Sequence, residues 1–241
     1  MSVSVIIKTI GLQLRDLRGQ LLDLLFPPRC VGCRQIGAWI CTECLSHIPR
    51  VEPPFCARYG DRVATLGLCT RCRTAPLQIK HIRSAAYFGG VLQEAIHHLK
   101  YRGRTALAKP LGGLMAAYWQ QHSMAADVVV PVPLHADRLR ERGYNQAALL
   151  ARELARQAGL AIDEQTLERK RATASQVKLD AKQRKENVHD AFYCSGSTLA
   201  GKRVLLVDDV CTTGATLEAC AIALQESGAL SVQALTLARA Q

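Results

Sequence analysis

One stretch, residues 203–219, constrains the fold more than any other part of the chain. It begins with a short, continuously apolar run, Val204-Leu205-Leu206-Val207, which is typical of a strand buried on both faces of a parallel sheet. Asp208 and Asp209 follow at the carboxyl end of this strand, where open α/β sheets hold their ligands. The sequence Thr-Thr-Gly-Ala-Thr at 212–216 then leads into apolar residues at helical spacing. The stretch therefore predicts a strand, a ligand-binding loop and a helix.

The loop at 212–216 has the composition of a phosphate site. Small residues let the backbone close tightly, Gly214 permits a positive φ, and the first amides of the helix point at an anion. Two acids beside such a site would repel a phosphate unless they hold sugar hydroxyls or a divalent cation. A sugar phosphate with a cis-diol, bound together with Mg²⁺, satisfies both halves. The simpler interpretation is an Asp-capped, threonine-rich turn that begins an ordinary helix.

The same residues resemble the signature of the type I phosphoribosyltransferases, which bind phosphoribosyl pyrophosphate (PRPP). In that family the two acids engage the ribose hydroxyls and the loop holds the 5′-phosphate. The resemblance implies that Asp208 and Asp209 are the ribose-binding and catalytic residues. It assigns the phosphate loop to Thr212, Thr213, Gly214, Ala215 and Thr216.

The bulk properties indicate a globular protein with anionic partners. The 241 residues suffice for one core and a small module, and the net charge of +11 favours phosphates, nucleic acid or an acidic surface as partners. Residues 1–26 predict an amphipathic helix that docks on the body, with a membrane surface as the alternative. Charges interrupt this segment, which argues against a membrane span or a signal peptide. We therefore expect a cytoplasmic protein whose ten cysteines are thiols.

Residues 27–78 carry three C-x-x-C pairs, which predict zinc, because each pair presents two thiolates and tetrahedral zinc takes two pairs. The candidate ligands are Cys30, Cys33, Cys41, Cys44, Cys56, Cys69 and Cys72. The first four complete one site. The last three leave a second site one ligand short, because Tyr59 stands where a fourth cysteine would be.

Several arrangements of the second zinc site stay open. The site is either vacant or completed by Asp61, His47 or another group. We favour one intact site and one that has lost a ligand. In a crossed alternative, Cys69 and Cys72 combine with one of the earlier pairs. A site of four thiolates has no open coordination position, so we predict a structural role for zinc.

Residues 79–241 alternate strands with helices, which indicates a mostly parallel sheet flanked by helices. Besides the strand at 204–207, strands are predicted at 79–88, 127–130 and 231–237, with helices at 91–99 and 107–119 and a long helix that runs through 158. Three arginines, Arg138, Arg140 and Arg142, follow the strand at 127–130. They predict a second anion site, and an exposed helix start with local acidic partners is the alternative.

Five motifs in order, from about residue 26 to the end, resemble the ComF family, whose members are competence-associated and phosphoribosyltransferase-like and carry an amino-terminal zinc module. The motifs are the cysteine module, L-K-Y-x-G at 99–103, V-P-V-P-L-H-A-D-R-L-R-E-R-G-Y-N-Q-A at 130–147, R-A-T-A-S-Q-V-K-L at 171–179 and the stretch at 203–219. The clearest departure from the family is Tyr59. The predicted organisation is a helix at 1–26, a zinc-ribbon-like module at 27–78 and a type I phosphoribosyltransferase-like α/β domain at 79–241.

The resemblance also implies a pyrophosphate loop and its helix at 131–146 and a mobile hood loop at 169–187. The candidates for these roles are Lys100, Arg138, Arg142, Asn145, Gln146, Arg171, Gln176 and Arg184. The implied chemistry is displacement of pyrophosphate from C1 of PRPP, with Mg²⁺ and arginines stabilising the leaving charge. No general base or acceptor pocket is evident from the sequence.

Two functions stay open at this point. The first is a PRPP-dependent pentosyl transferase, linked to DNA uptake, that acts on an unidentified acceptor. The alternative is a catalytically inactive protein that handles single-stranded DNA with its basic surface and uses the phosphoribosyl site as a sensor. The basic residues at 169–185 suit a cover over pyrophosphate or a nucleic-acid contact, and a solvated charge run is the simpler interpretation.

Overall fold

The computed structural model describes residues 27–74, 77–122, 124–170 and 191–240. The chain divides into two compact units, residues 1–47 and residues 48–241. The predicted helix at 1–26 and most of the predicted hood, including Arg171, Gln176 and Arg184, lie outside the described residues.

The described part of the smaller unit is a tight turn that carries Cys30 and Cys33, followed by one short helix, α1 (Thr42–Ser46). The turn closes because the Cys30 amide donates to the Gln35 carbonyl and the Arg34 amide donates to the Cys30 carbonyl, both at 2.9 Å. Arg34 itself has a φ of 66°. These bonds bring Cys30 and Cys33 to one side of the turn.

A five-stranded sheet in which every neighbouring pair is parallel forms the larger unit. The strands of the described residues are β1 (Ile82–Tyr87), β2 (Val128–Pro131), β3 (Ala161–Ile162), β4 (Leu167–Arg169), β5 (Phe192–Cys194), β6 (Arg203–Cys211) and β7 (Ser231–Arg239). The spatial order is β1-β7-β6-β2-β3, while β4 and β5 form a separate antiparallel pair. The predicted mostly parallel sheet is confirmed.

Both faces of the sheet are covered. The four central residues of β6, which point alternately to the two faces, are all fully buried: Val204, Leu205, Leu206 and Val207. The helices are α2 (Thr70–Thr74), α3 (Gly90–Tyr101), α4 (Ala108–Gln121), α5 (Ala136–Arg142), α6 (Gln146–Ala158) and α7 (Ala215–Glu226), with a 3₁₀ turn at Thr105–Leu107. Helices α4 and α6 pack on each other and on the sheet. Across the described residues, no helix is both long enough and apolar enough to cross a bilayer.

Strand β6 is longer than predicted, and this extension positions the two acids. Its pairing with β2 ends at Pro131 and Val207, whereas its pairing with β7 continues to Cys211. Asp208 and Asp209 therefore lie inside the strand rather than after it, in the part that has lost its neighbour on one side. A single sequence cannot give this stagger, because it depends on where β2 stops.

The second group of cysteines belongs to the larger unit. Residues 27–78 are predicted as one module, and the compact units divide between residues 47 and 48, so Cys56, Cys69 and Cys72 fall in the larger unit. The physical reason is a shared core, since Cys56 and Tyr59 pack in the same apolar cluster as Ile82 of β1. Residues 48–78 are thus built onto the sheet.

The contact between α4 and α6 depends on a close approach at Gly112. A Cβ atom at this position would lie 2.6 Å from Glu153 Cβ and 3.2 Å from the Leu150 carbonyl oxygen. We predict that Gly112→Ala destabilises the fold by about 1–3 kcal/mol through overpacking. Gly113→Ala is the matched control, because its nearest new neighbour is the flexible end of Gln157.

The urea midpoint of unfolding distinguishes these two variants. Gly113→Ala should unfold at the wild-type midpoint or slightly above it, since alanine favours helix by roughly 0.5–1 kcal/mol over glycine. An equal midpoint for both variants would contradict the close packing of α4 on α6.

Candidate functional site

A cavity of about 810 Å³ opens at the carboxyl ends of β2 and β6. It is bordered by the end of α3, the segment that follows β2, the last residues of β6 and the loop at 212–216. The predicted site residues on its wall are Lys100, Arg138, Arg142, Gln146, Asp208, Asp209, Thr212, Thr213, Gly214, Ala215 and Thr216. Motifs that are far apart in the sequence therefore meet at one cavity of ligand size.

The loop at 212–216 turns sharply between β6 and α7. Gly214 has a φ of 68°, in the left-handed region that glycine adopts without strain, and α7 begins at the next residue. Thr213 Oγ1 accepts a hydrogen bond from the Ala215 amide at 3.4 Å. A side chain at position 214 would also meet Tyr59 Cε2 and Ile82 Cδ1, both at 2.9 Å from the added Cβ. Conformation and space thus both require glycine here.

Asp209 is buried and forms an ion pair with a lysine from another motif. It is 3% exposed, and its Oδ1 accepts a hydrogen bond from Lys100 Nζ at 2.7 Å. Its Oδ2 is buried and has no hydrogen-bond partner among the described residues. Asp208 Oδ1 accepts from the Asp209 amide at 2.8 Å. The two carboxylates therefore share one partly satisfied site.

The protonation of this group follows from burial and mutual repulsion. Burial, reinforced by the charge of Asp209, raises the pKa of Asp208 to about 7, against the opposing effect of Lys100. Burial alone would lower the pKa of Lys100, but the charge and hydrogen bond of Asp209 outweigh it and leave the pKa above its usual value. Without a ligand, the site therefore pairs one ammonium with one carboxylate and holds a further proton near neutral pH.

The predicted anion-binding residues of the segment after β2 fall into two groups, those that line the cavity and one that does not. Arg138 and Arg142 lie on the cavity wall, and Arg142 also donates to Gln146 Oε1. Asn145 is not on the wall, and both the oxygen and the nitrogen of its side-chain amide form hydrogen bonds within the protein. Its Oδ1 caps α6 by accepting from the Ala147 amide, and its Nδ2 donates to the Val132 carbonyl, both at 2.9 Å. In this structure the Asn145 side chain holds the segment together, and its anion-binding role stays a prediction.

Three residues of the wall or its support were not named as site residues from the sequence, although one of them, Arg169, falls in the predicted hood loop. His97, interpreted from sequence as a surface or packing residue, lies on the cavity wall. Arg169, at the end of β4, lies on it as well. Tyr59, considered only as a missing metal ligand, donates its hydroxyl to the Thr212 carbonyl at 2.8 Å. The position of His97 in a helix next to Lys100 was the available signal, whereas nothing local indicated the contact of Tyr59.

The first four cysteines have the geometry of a zinc site. Cys41 Sγ lies 3.7 Å from Cys30 Sγ and 3.6 Å from Cys33 Sγ. A tetrahedral site with Zn–S bonds of about 2.3 Å places its sulfurs roughly 3.8 Å apart. The Cys41 amide donates to Cys30 Sγ at 3.4 Å, and Cys44 completes the group of four. This donor set fits structural zinc and leaves no open position.

Cys56, Cys69 and Cys72 form a second group, in which all three sulfurs lie within 4.8 Å of one another. Neither Asp61 nor His47, the proposed substitutes for a fourth thiolate, belongs to this group. The crossed pairing is also not observed, because the two groups draw on separate cysteines. Three thiolates with one open position fit a zinc ion that takes an external fourth ligand.

Comparison with known families matches both parts of the chain. Residues 21–73 match the Double zinc ribbon domain, and residues 139–241 match the Phosphoribosyl transferase domain. Among solved structures, the chain is similar to glutamine PRPP amidotransferase from B. subtilis, with 22% identity and a TM-score of 0.39. That similarity covers 54% of this chain and 26% of the amidotransferase chain.

Curated relatives match nearly the whole chain. The DNA utilization protein YhgH of Salmonella typhimurium is 34% identical over 229 residues, which cover 90% of this chain and 99% of the relative. The competence protein ComFC of Bacillus subtilis is 28% identical over 83% of this chain and 84% of the relative. With a zinc ribbon, a phosphoribosyl transferase domain and these relatives in one sequence, the chain belongs to the ComF family.

Proposed function

We propose that the cavity binds PRPP, or a closely related ribose phosphate, together with Mg²⁺. The observation that carries this proposal is that two adjacent carboxylates, Asp209 buried and Asp208 half-buried, lie on the same cavity wall as the loop that turns at Gly214 into α7. The loop supplies amides for a phosphate, and the carboxylates accept hydrogen bonds from the 2′- and 3′-hydroxyls of a ribose. The match to the phosphoribosyl transferase domain supports the same ligand.

Each wall residue takes a role that its chemistry allows. Thr212 to Thr216 hold the 5′-phosphate, and Asp208 and Asp209 hold the ribose. Arg138 and Arg142 are the described cations best suited to the pyrophosphate, because guanidinium groups bind phosphates at two points. Mg²⁺ bound with the pyrophosphate would neutralise part of its charge.

If the protein transfers the phosphoribosyl group, the bond between C1 and the pyrophosphate oxygen breaks and a bond from C1 to the acceptor forms. The positive charge that develops on the ring is stabilised by the nearby carboxylates, and the negative charge of pyrophosphate by the arginines. His97 is a wall residue whose imidazole could accept a proton from an acceptor. We propose that this reaction, or ligand sensing at the same site, takes place in the cytoplasm, where the cysteines stay reduced for zinc.

We predict that replacing both ribose carboxylates weakens PRPP binding. Asp208→Asn with Asp209→Asn removes two charge-assisted hydrogen bonds at about 1.5–3 kcal/mol each, so the Kd measured by calorimetry with Mg²⁺ should rise at least about 100-fold. Glu164→Gln is the matched control, because Glu164 pairs with Arg152 on the surface, away from the cavity wall. Equal affinity for PRPP in the double variant and the wild type would contradict the ligand assignment.

We further propose that the protein acts in DNA handling and contacts single-stranded DNA. Relatives named for DNA utilization and competence support this function, as does the net charge of +11. Among the described residues, Arg138 and Lys170 supply cations close to the cavity: Arg138 on its wall, and Lys170 next to the wall residue Arg169. A single strand of DNA bound to these cations would pass over the phosphoribosyl site.

The DNA proposal predicts a defined salt dependence. Replacing Arg169, Lys170 and Arg171 with alanine should weaken binding of a labelled oligonucleotide and reduce the slope of log K against log salt by roughly 2, at about 0.7 per lost phosphate contact. Arg152→Ala with Arg156→Ala is the control, since glutamates already neutralise both cations. Binding by the wild type that does not weaken with salt would exclude backbone recognition.

A further inference from the structure

Tyr59 stands in the sequence where a fourth cysteine of the second group is expected, and its hydroxyl donates to the Thr212 carbonyl. We propose that Tyr59 is a positioning residue, which fixes the phosphate loop and couples it to the metal state of Cys56, Cys69 and Cys72. The identity of the loop's ligand rests on the function proposed above, whereas the coupling rests on contacts within the larger unit.

The first contact ties the backbone of the loop to the tyrosine. Tyr59 is 2% exposed, and its hydroxyl donates to the Thr212 carbonyl at 2.8 Å. Its ring lies against Gly214, since an added Cβ there would come within 2.9 Å of Tyr59 Cε2. The loop is therefore held at its first residue and at its turning point by one rigid side chain.

Two guanidinium groups restrain the ring itself. Arg71 Cζ lies 4.4 Å and Arg239 Cζ 4.0 Å from the ring centroid. Arg239 also donates to Cys211 Sγ at 3.0 Å and, through Nε, to Asp61 at 3.0 Å. Arg71 lies between Cys69 and Cys72 in the sequence, so its guanidinium group comes from the third C-x-x-C pair. The ring is thus fixed by the cysteine segment and by the ends of β6 and β7.

The backbone of Tyr59 is bound to the sulfur of Cys56. Its amide donates to Cys56 Sγ at 3.4 Å, and the Cys69 amide donates to the same sulfur at 3.3 Å. A zinc ion on the three thiolates would lock this turn, because both amide bonds end on a ligand atom. Loss of the metal would release the turn and, with it, the support of the phosphate loop.

An ordinary core tyrosine would not behave in this way. If Tyr59 only fills space, removal of its hydroxyl leaves the loop unchanged, because phenylalanine fills the same volume. Metal loss from Cys56, Cys69 and Cys72 would then lower the global stability, and hydrogen exchange in the loop would accelerate no more than in the surrounding residues.

Hydrogen exchange of the loop amides tests the positioning role without any ligand. Tyr59→Phe should accelerate exchange at residues 212–216 and raise the Kd for PRPP with Mg²⁺ by about five- to tenfold, as expected for one lost neutral hydrogen bond. Tyr118→Phe is the matched control, because the Tyr118 hydroxyl is also buried but has no hydrogen-bond partner among the described residues. Wild-type exchange in Tyr59→Phe would overturn the proposal.

A double-mutant cycle tests the coupling to the metal cluster. Cys72→Ser should lower the zinc content and accelerate loop exchange, while adding little to Tyr59→Phe, because both changes act through one contact. Cys33→Ser, in the first cluster, should lower zinc content without this loop effect. Additive effects of Cys72→Ser and Tyr59→Phe, or an equal loop effect from Cys33→Ser, would overturn the coupling. Should the wild type not bind PRPP, the ligand proposal fails, and the exchange data still decide the role of Tyr59.

Discussion

The carboxylate pair at the end of β6, in which Asp209 is buried and Asp208 is half-buried, is the constraint on which the rest of the site depends. A buried charge is costly unless it is paired, and Asp209 is paired with Lys100 at 2.7 Å. The second carboxyl, Asp208, avoids part of the cost through a raised pKa, because burial and its neighbour favour the protonated form. Near neutral pH, the contact with Lys100 and the raised pKa of Asp208 therefore both reduce the negative charge of the pair. A ribose and a cation can replace the proton without leaving a buried charge unpaired.

This electrostatic arrangement requires that distant segments stay in place. Lys100 lies in the last turn of α3, and the Tyr144 hydroxyl donates to the carbonyl of the preceding residue, Leu99. The segment after β2 is thereby connected to the helix that carries the lysine. In the loop at 212–216, the Thr212 carbonyl accepts a hydrogen bond from the Tyr59 hydroxyl. Two segments of the cavity wall are thus each held by a part-buried hydrogen bond to a residue that is distant in the sequence.

The fold was largely predictable from sequence, because its main elements are long, periodic and bounded by clear signals. The apolar run at 204–207 and the helix after Gly214 lie where the pattern placed them. The short strands β3, β4 and β5 were not predicted, since two or three residues carry no periodicity.

The site was predictable in its residue types and less so in its contacts. The acids, the loop and the arginines were identified by motif, but the pairing of Lys100 with Asp209 joins residues that only the folded sheet brings together. The same holds for Asn145, whose amide turned out to cap α6, and for Tyr59. Such long-range polar contacts leave no local pattern in a single sequence.

The most direct test of this account is a crystal structure of the protein grown with PRPP and Mg²⁺. The account predicts the 5′-phosphate on the amides of residues 212–216 and the ribose hydroxyls on Asp208 and Asp209, with the pyrophosphate towards Arg138 and Arg142. A ligand bound elsewhere, or a phosphate seated away from the loop while Lys100 still covers Asp209, would contradict it.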